Sequence, residues 1–423
     1  MARYRQWLSS GPLVGLSRSG GAARELLLGA TKEPTIMLFP RSDGPGSSHD
    51  LLPFAAMGHR FPVNNPNFSD LAWAWSRDCL RTPGACLDGE PIVFRACPAE
   101  DPEATEYYAP DFHEKPLAVR GDVPGRAELF VNNILHQFGM KGVRIEADSM
   151  PAVYRGTGLG GSNLAHLAAM IFASALSGAG LDLGQIFVGA TLLENFFGVK
   201  EESSGHVSFG VSVTGGQESL TALQGGFYDN VHTPFYRGPF SVVSRELLPA
   251  TDYAEVQRHM LLVNVGVSRK GGVNSSLINN RWMAQWRTPE GTALHMRKTA
   301  IAYRAAEALR LKDWNDYAAA IKEYREVRVQ LCSEYISGQL ELQQHCEELE
   351  AEYFPLGAGT GTCLVVSPHA DSISEISRRI HATPDAETAR SVIPFKVREE
   401  GAEFIHFEDA GLEVPKRPQF ITA

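Results

Sequence analysis

The chain has 423 residues, 43% hydrophobic and 21% charged, a composition typical of a soluble globular protein long enough for two domains. The net charge of -10 argues against a nucleic-acid partner, which would require a basic face. The 6 cysteines are scattered without a C-x-x-C pair, which indicates reduced thiols and excludes a disulfide framework or a zinc-binding motif.

Neither the N-terminal residues nor the most apolar segment predicts a membrane protein. The first seven residues lack the apolar core of a signal peptide. The most apolar segment, 164–176, is short and interrupted by His166, so we expect a buried core helix and not a membrane span. The sequence therefore predicts a cytoplasmic protein with no membrane partner.

The predicted elements begin with a short helix and an irregular lead-in over residues 1–35, then a strand at 36–39. Weak periodicity over 67–118 gives no defined element, and order returns with a helix at 126–140 and a strand at 142–147. The later predicted helices are 162–177, 184–197, 289–311, 314–352 and 372–380, and the later predicted strands are 260–266, 363–367, 391–397 and 404–407.

A glycine-rich loop, Arg155 to Asn163, opens directly into the helix predicted at 162–177. Glycines let the backbone approach a ligand closely, and the N–H groups of a helix N-terminus attract phosphate. Ser162 places a hydroxyl at the helix start, where it could bind Mg²⁺ beside the phosphates. The loop is neither a Walker A loop nor a Rossmann fingerprint, because the Gly-Lys-Ser/Thr and the Rossmann glycine spacing are both missing. From the pattern alone, a turn that only caps a core helix is an equal alternative.

A second glycine loop, 357–361, leads into the strand predicted at 363–367. In isolation it fits a tight turn between a helix and a strand equally well.

Taken together, these segments resemble the motifs of the GHMP kinase superfamily, in the family's order. The segment 151–163 resembles the central phosphate motif, and 357–361 resembles the C-terminal glycine motif. Between them, 216–227 and 262–269 resemble segments of the fucokinase and heptose kinase branch. A weaker similarity joins 41–53 to that branch's sugar-contacting motif. Several weak motifs in the right order support one another.

The resemblance implies a two-domain α+β fold with the active site in the interdomain cleft. A lead-in, 1–35, would precede an N-terminal domain, 36–245, with the substrate motif and the phosphate loop, and a C-terminal domain, 246–423. It also implies an ATP- and Mg²⁺-dependent kinase that phosphorylates a hydroxyl, the anomeric one, of a sugar or sugar phosphate.

The resemblance further assigns roles to individual residues. ATP would be bound by Gly156, Gly158, Leu159, Gly160, Gly161, Ser162, Asn163, Gly357 and Gly359. Mg²⁺ would be held by Ser162 and Glu194, although Glu194 could also be a solvated helix residue. Glu218 would be the catalytic carboxylate, and Arg269 would neutralise the transferred phosphoryl group or anchor the substrate. The substrate would be contacted by Arg41, Asp43, Asp50, Gly216 and Gln217, although Asp50 could simply cap a turn.

The sequence departs from the family at four positions. Glu218 replaces an aspartate, Thr360 and Thr362 replace glycines, and Phe354 replaces a lysine of this branch. A displacement of about 1 Å at a catalytic group can cost a hundredfold in rate. A non-catalytic GHMP-fold protein that binds a metabolite or partner therefore remains an alternative, whereas the missing Rossmann spacing excludes a nucleotide-binding oxidoreductase.

Overall fold

The computed structural model combines two main antiparallel sheets with helices. It describes residues 4–7, 35–43, 80–111, 113–120, 130–138, 140–147, 161–177, 181, 186, 190, 199–201, 207–209, 222–223, 225–232, 242–265, 285, 288–332, 340–356, 361–382, 391–399 and 403–405. Within this part of the chain, no helix is long and apolar enough to cross a membrane.

The larger sheet has nine described strands and is built around one long strand. Its members are β1 (Tyr4–Trp7), β2 (Thr35–Asp43), β3 (Leu80–Pro98), β4 (Ala104–Tyr108), β5 (Leu117–Arg120), β6 (Val143–Ala147), β9 (Phe227–His232), β10 (Val242–Leu248) and β15 (Glu403–Ile405). The order is β1-β10-β9-β3-β6-β4-β5, with β2 pairing β3 and β15 pairing β2. Among these described strands, only β4 and β6 run parallel. Two short strands, β7 (Val199–Glu201) and β8 (Val207–Phe209), pair separately.

Helices α1 (Phe130–Gln137) and α2 (Gly161–Ser177) pack on the larger sheet. α2 contacts α1, β2 and β3, and its residues 164–174 are all buried. A helix that is apolar all round must be enclosed by protein, which confirms the core helix predicted from the sequence.

The smaller sheet has four antiparallel strands: β11 (Met260–Asn264), β12 (Glu352–Pro355), β13 (Thr362–Val366) and β14 (Ser391–Pro394). They lie in the order β12-β13-β11-β14. Alternate residues face opposite sides of a strand, so Leu262 and Val263 belong to two different core clusters.

Helices enclose both faces of the smaller sheet. The cluster containing Leu262 includes residues of α4 (Pro289–Leu311) and α5 (Trp314–Leu331). The cluster on the opposite face includes residues of α6 (Leu340–Glu348) and α7 (Ala370–Ala382). A further helix, α3 (Tyr253–His259), leads directly into β11.

The paired helices α4 and α5 begin and end at recognisable caps. The Thr288 hydroxyl accepts a hydrogen bond from the Gly291 amide at 3.0 Å, and Asp313 accepts one from the Asp316 amide, also at 3.0 Å. Lys312, in the left-handed conformation with φ 57°, ends α4. The tight connection makes the two helices antiparallel neighbours.

Three sequence predictions need correction. The helix predicted over 314–352 is interrupted: α5 ends at Leu331, Cys332 is extended, and β12 begins at Glu352. Residues 67–118, which gave no element, contain β3, β4 and β5. Tyr4–Trp7 is a strand paired with β10, within a lead-in predicted to be helical or irregular. The helix predicted at 184–197 lies mostly outside the described residues, and the division at residue 245 stays a prediction.

Candidate active site

The long strand β3 organises the candidate site because three chain segments meet along it. Ala85 pairs with Asp43 of β2 and with Phe227 of β9, so these two strands lie on opposite sides of β3. Phe94 likewise pairs with Met37 of β2 and with Ala147 of β6. β6 and β9 therefore share the side of β3 opposite β2.

A gap separates the end of β6 from the start of β9. Measured along β2, the positions of Phe94 and Ala85 are roughly 20 Å apart. Both β6 and β9 are antiparallel to β3, so β6 ends pointing towards the start of β9. Among the described strands, none pairs with β3 in this interval. The segments that follow β6 and precede β9 therefore both adjoin this interval.

The phosphate loop predicted from the sequence follows β6, which ends at this gap. The chain exits β6 at Ala147 and is next described at Gly161, the first residue of α2. Ser162 and Asn163 thus lie in the first turn of α2, where a helix carries unpaired N–H groups and a partial positive charge. Gly156, Gly158, Leu159 and Gly160 lie outside the described residues.

Part of the predicted substrate motif reaches the same region from the other side of β3. Arg41 and Asp43 form the last part of β2, and Asp43 is two strand spacings from Phe227, about 10 Å. Phe227 follows directly on the segment that contains the predicted catalytic Glu218. The remaining predicted residues of this region, Asp50, Glu194, Gly216, Gln217 and Glu218, lie outside the described residues.

The entry into β9 requires glycine. Gly225 and Gly226 have φ angles of 68° and 70°, a region that side chains disfavour. A Cβ on Gly226 would lie 3.1 Å from the Tyr253 hydroxyl, and the Gly226 amide donates to the Arg398 carbonyl at 2.7 Å. Burial, with a smaller contribution from Glu246, raises the pKa of Tyr253, which keeps this hydroxyl neutral.

The segments that carry a second group of predicted positions adjoin described residues at one end of the smaller sheet. The Val265 amide donates to the Gly361 carbonyl at 2.7 Å. Val265 directly precedes the segment 266–269, and Gly361 directly follows the loop 357–360. Gly361 has φ 109°, which explains a glycine at that position. Arg269, Gly357 and Gly359 themselves lie outside the described residues.

The part of β3 that lines the gap was not predicted from the sequence. Between Leu87 and Ile92, β3 contains three residues more than the paired part of β2, so it bulges at 88–91. Bulges are frequent beside active sites. Asp88-Gly89, a turn dipeptide within an apolar run, is the sequence feature that could have indicated it.

The described part of the chain contains no group of three His, Cys, Asp or Glu side chains that could hold a metal ion. Within the same residues, Cys97, Cys332, Cys346 and Cys363 are free thiols.

Comparison with known proteins identifies the fold. No protein-family model matches the chain, and no curated protein sequence matches it. Among solved structures, galactokinase from Lactococcus lactis, complexed with galactose, has a TM-score of 0.58 at 12% identity and covers 92% of this chain and 99% of its own.

Two further kinases are similar over comparable lengths. Homoserine kinase from Cytophaga hutchinsonii has a TM-score of 0.53 at 15% identity, covering 89% of this chain and 98% of its own. Mevalonate-3-kinase from Thermoplasma acidophilum, with mevalonate 3-phosphate and ADP bound, has a TM-score of 0.53 at 11% identity, covering 89% and 100%. The chain therefore has the α+β fold shared by GHMP kinases, as its motifs predict.

Proposed function

We propose that this protein is a kinase that transfers the γ-phosphoryl group of ATP, with Mg²⁺, to the anomeric hydroxyl of a sugar or sugar phosphate. The main support is the convergence at the gap along β3. The exit to the phosphate loop, the end of β2 and the entry into β9 all meet there. The same fold occurs in a galactokinase with galactose and in a mevalonate-3-kinase with ADP.

The nucleotide would be bound by the two glycine loops. The cofactor-binding residues proposed are Gly156, Gly158, Leu159, Gly160, Gly161, Ser162, Asn163, Gly357 and Gly359. The N-terminus of α2 fits phosphate, because Gly161 begins a helix of 17 residues directly after the loop.

The proposed Mg²⁺ ligands are the Ser162 hydroxyl and the Glu194 carboxylate, which are oxygen donors of the kind that this cation prefers. Bound there with the nucleotide, Mg²⁺ would neutralise phosphate charge. Ser162 fits this role by position, since it lies in the first turn of α2.

The acceptor would be oriented by the residues on the β2 and β9 sides of β3. Arg41, Asp43, Asp50, Gly216 and Gln217 would hold the sugar, and Glu218 would accept the proton of the attacking hydroxyl. Arg269 would offset the charge of the transferred phosphoryl group.

ADP release measured with a panel of free hexoses, 6-deoxyhexoses and hexose phosphates tests the proposal. We expect one class of sugar to raise ADP release well above the rate without acceptor, and EDTA to abolish the increase. No increase with any sugar, in protein shown to be folded, would contradict kinase activity.

One observation favours a second function, a non-catalytic protein that binds a metabolite. Glu218 stands where the resembling kinases have aspartate. A sugar that raises the melting temperature without stimulating ADP release would support this alternative.

A further inference from the structure

Three polar residues form one row across an end of the smaller sheet. Asn264, the last residue of β11, pairs with Thr362 of β13 and with Ser391 of β14. Directly opposed residues of antiparallel strands project from the same face. These three residues, called the polar row below, lie on the face that also carries Leu262 and its paired Leu364.

The two hydroxyl groups of the polar row are enclosed by protein without hydrogen-bond partners among the described residues. Thr362 is 0% exposed and Asn264 is 8% exposed, while Ser391 is partly exposed at the other end of the row. Within the described part of the chain, the hydroxyl oxygens of Thr362 and Ser391 have no hydrogen-bond partner. A covered hydroxyl without a partner is costly, so this arrangement points to a ligand.

At the opposite end of the same sheet, a buried hydroxyl does have hydrogen-bond partners. The Ser367 hydroxyl, also fully buried, donates to the Glu350 carbonyl at 3.2 Å and accepts from the His369 amide at 3.1 Å. The hydroxyls without hydrogen-bond partners therefore lie at the end of the sheet that adjoins the segments 266–269 and 357–360.

The chemistry of the polar row favours an uncharged partner. Its two hydroxyls and one amide can each donate and accept hydrogen bonds, and none carries a charge. The neighbouring cation, Arg328, lies over the Phe354 ring at 5.4 Å, in the preceding row of the same face. Hydroxyl groups of a polyol match neutral groups that both donate and accept, whereas a phosphate requires donors alone.

We propose that the polar row binds hydroxyl groups of the acceptor and so selects a polyol. This inference rests on the proposed kinase function, which it extends from the larger sheet to the smaller one. Thr362, which replaces a family glycine, becomes a specificity-determining residue.

The test compares Thr362→Val, which removes the hydroxyl at nearly constant shape, with Ser367→Ala as the matched control. We expect Thr362→Val to raise the KM of the best sugar about 5- to 10-fold, the effect of one neutral hydrogen bond. Its KM for ATP should not change, and its melting temperature should equal or exceed that of the wild type. Ser367→Ala should lower the melting temperature and leave both KM values unchanged.

Two results would overturn the inference. A lower melting temperature for Thr362→Val with an unchanged sugar KM would show that the hydroxyl has a partner within the protein. A raised KM for ATP alone would assign the row to the nucleotide.

If the wild type releases no ADP with any sugar, the proposed function fails and binding decides the inference separately. The same sugars are then tested by thermal shift. A sugar that stabilises the wild type more than Thr362→Val supports the polar row as its site, whereas equal shifts, or none, refute it.

Discussion

At residue 218 the sequence has glutamate where the resembling kinases have aspartate. If Glu218 accepts the proton of the attacking hydroxyl, Glu218→Gln should lower kcat by about 10²–10⁴-fold with sugar affinity nearly intact. Glu347→Gln, a substitution at an exposed position of α6, is the control that removes the same charge elsewhere. Steady-state ADP release and sugar binding by calorimetry measure the two effects.

Glu218→Asp separates an adapted site from a weakened one. Aspartate restores the family carboxylate but shortens its reach by one methylene, so a backbone adjusted to glutamate should lose activity. An aspartate variant faster than the wild type would mean that the site still fits aspartate and that the natural protein is a weakened kinase. Equal and low ADP release from all three proteins would exclude Glu218 from catalysis.

Among the elements, the entry into β9 couples local backbone strain to the candidate site. Gly226→Ala would force a side chain into φ 70° beside Tyr253, and it should destabilise the protein by about 1–2 kcal/mol and lower activity. Gly142→Ala is the matched control, since Gly142 has φ 69° and a Cβ there would lie 3.0 Å from the Pro102 carbonyl.

Gly142 precedes β6 at the end remote from the gap, so its substitution should lower stability equally and leave kcat/KM unchanged. Urea unfolding and ADP release compare the two variants. Equal losses of activity in both would show that Gly226 acts through global stability alone.

The loop before α2 gives a prediction about binding. Gly160→Val should lower ATP affinity at least about tenfold, because a β-branched side chain prevents close approach of the backbone to phosphate. Sugar affinity is the internal control, since the loop is proposed to contact only the nucleotide. Unchanged ATP affinity by calorimetry, in a folded variant, would remove this loop from the site.

The local pattern of apolar residues predicted the elements whose described side chains are all buried. The continuous apolar run of α2 and the short apolar strand β11 were both found close to their bounds. β3 was missed because Asp88-Gly89 and Pro91 interrupt its pattern at the bulge. The predicted helix over 314–352 ran past the end of α5, because the helical pattern of α6 obscured the extended Cys332 between the two helices.

The arrangement of the candidate site could be predicted only in part. Motif resemblance named its segments, but the pairing of β2 and β9 on opposite sides of Ala85 joins residues far apart in sequence. A pattern among neighbouring residues cannot predict such a pairing. The row of Asn264, Thr362 and Ser391 was missed for the same reason, since each residue alone is an ordinary strand end.

Across the whole molecule, two thiols with raised pKa values predict how stability depends on pH. Burial raises the pKa of Cys346 to about 12, and burial together with Glu146 raises that of Cys97 to about 11, from a usual value near 9.0. Above pH 9 an unfolded chain loses these thiol protons while the folded chain keeps them. The free energy of unfolding should therefore fall as pH rises, by up to about 1.4 kcal/mol per pH unit for each thiol.

Urea unfolding between pH 8 and pH 10.5 measures how steeply the free energy of unfolding falls with pH. Cys346→Ala should lower stability at every pH through the cavity it leaves, but it should also make the decline above pH 9 less steep. Val365→Ala, a cavity in the same core cluster without a titrating group, should lower stability and keep the wild-type slope. If all three proteins lose stability in parallel above pH 9, ionisation of Cys346 does not contribute to the alkaline decline. Other groups must then account for it, such as Tyr107, because burial raises the pKa of its hydroxyl to about 12.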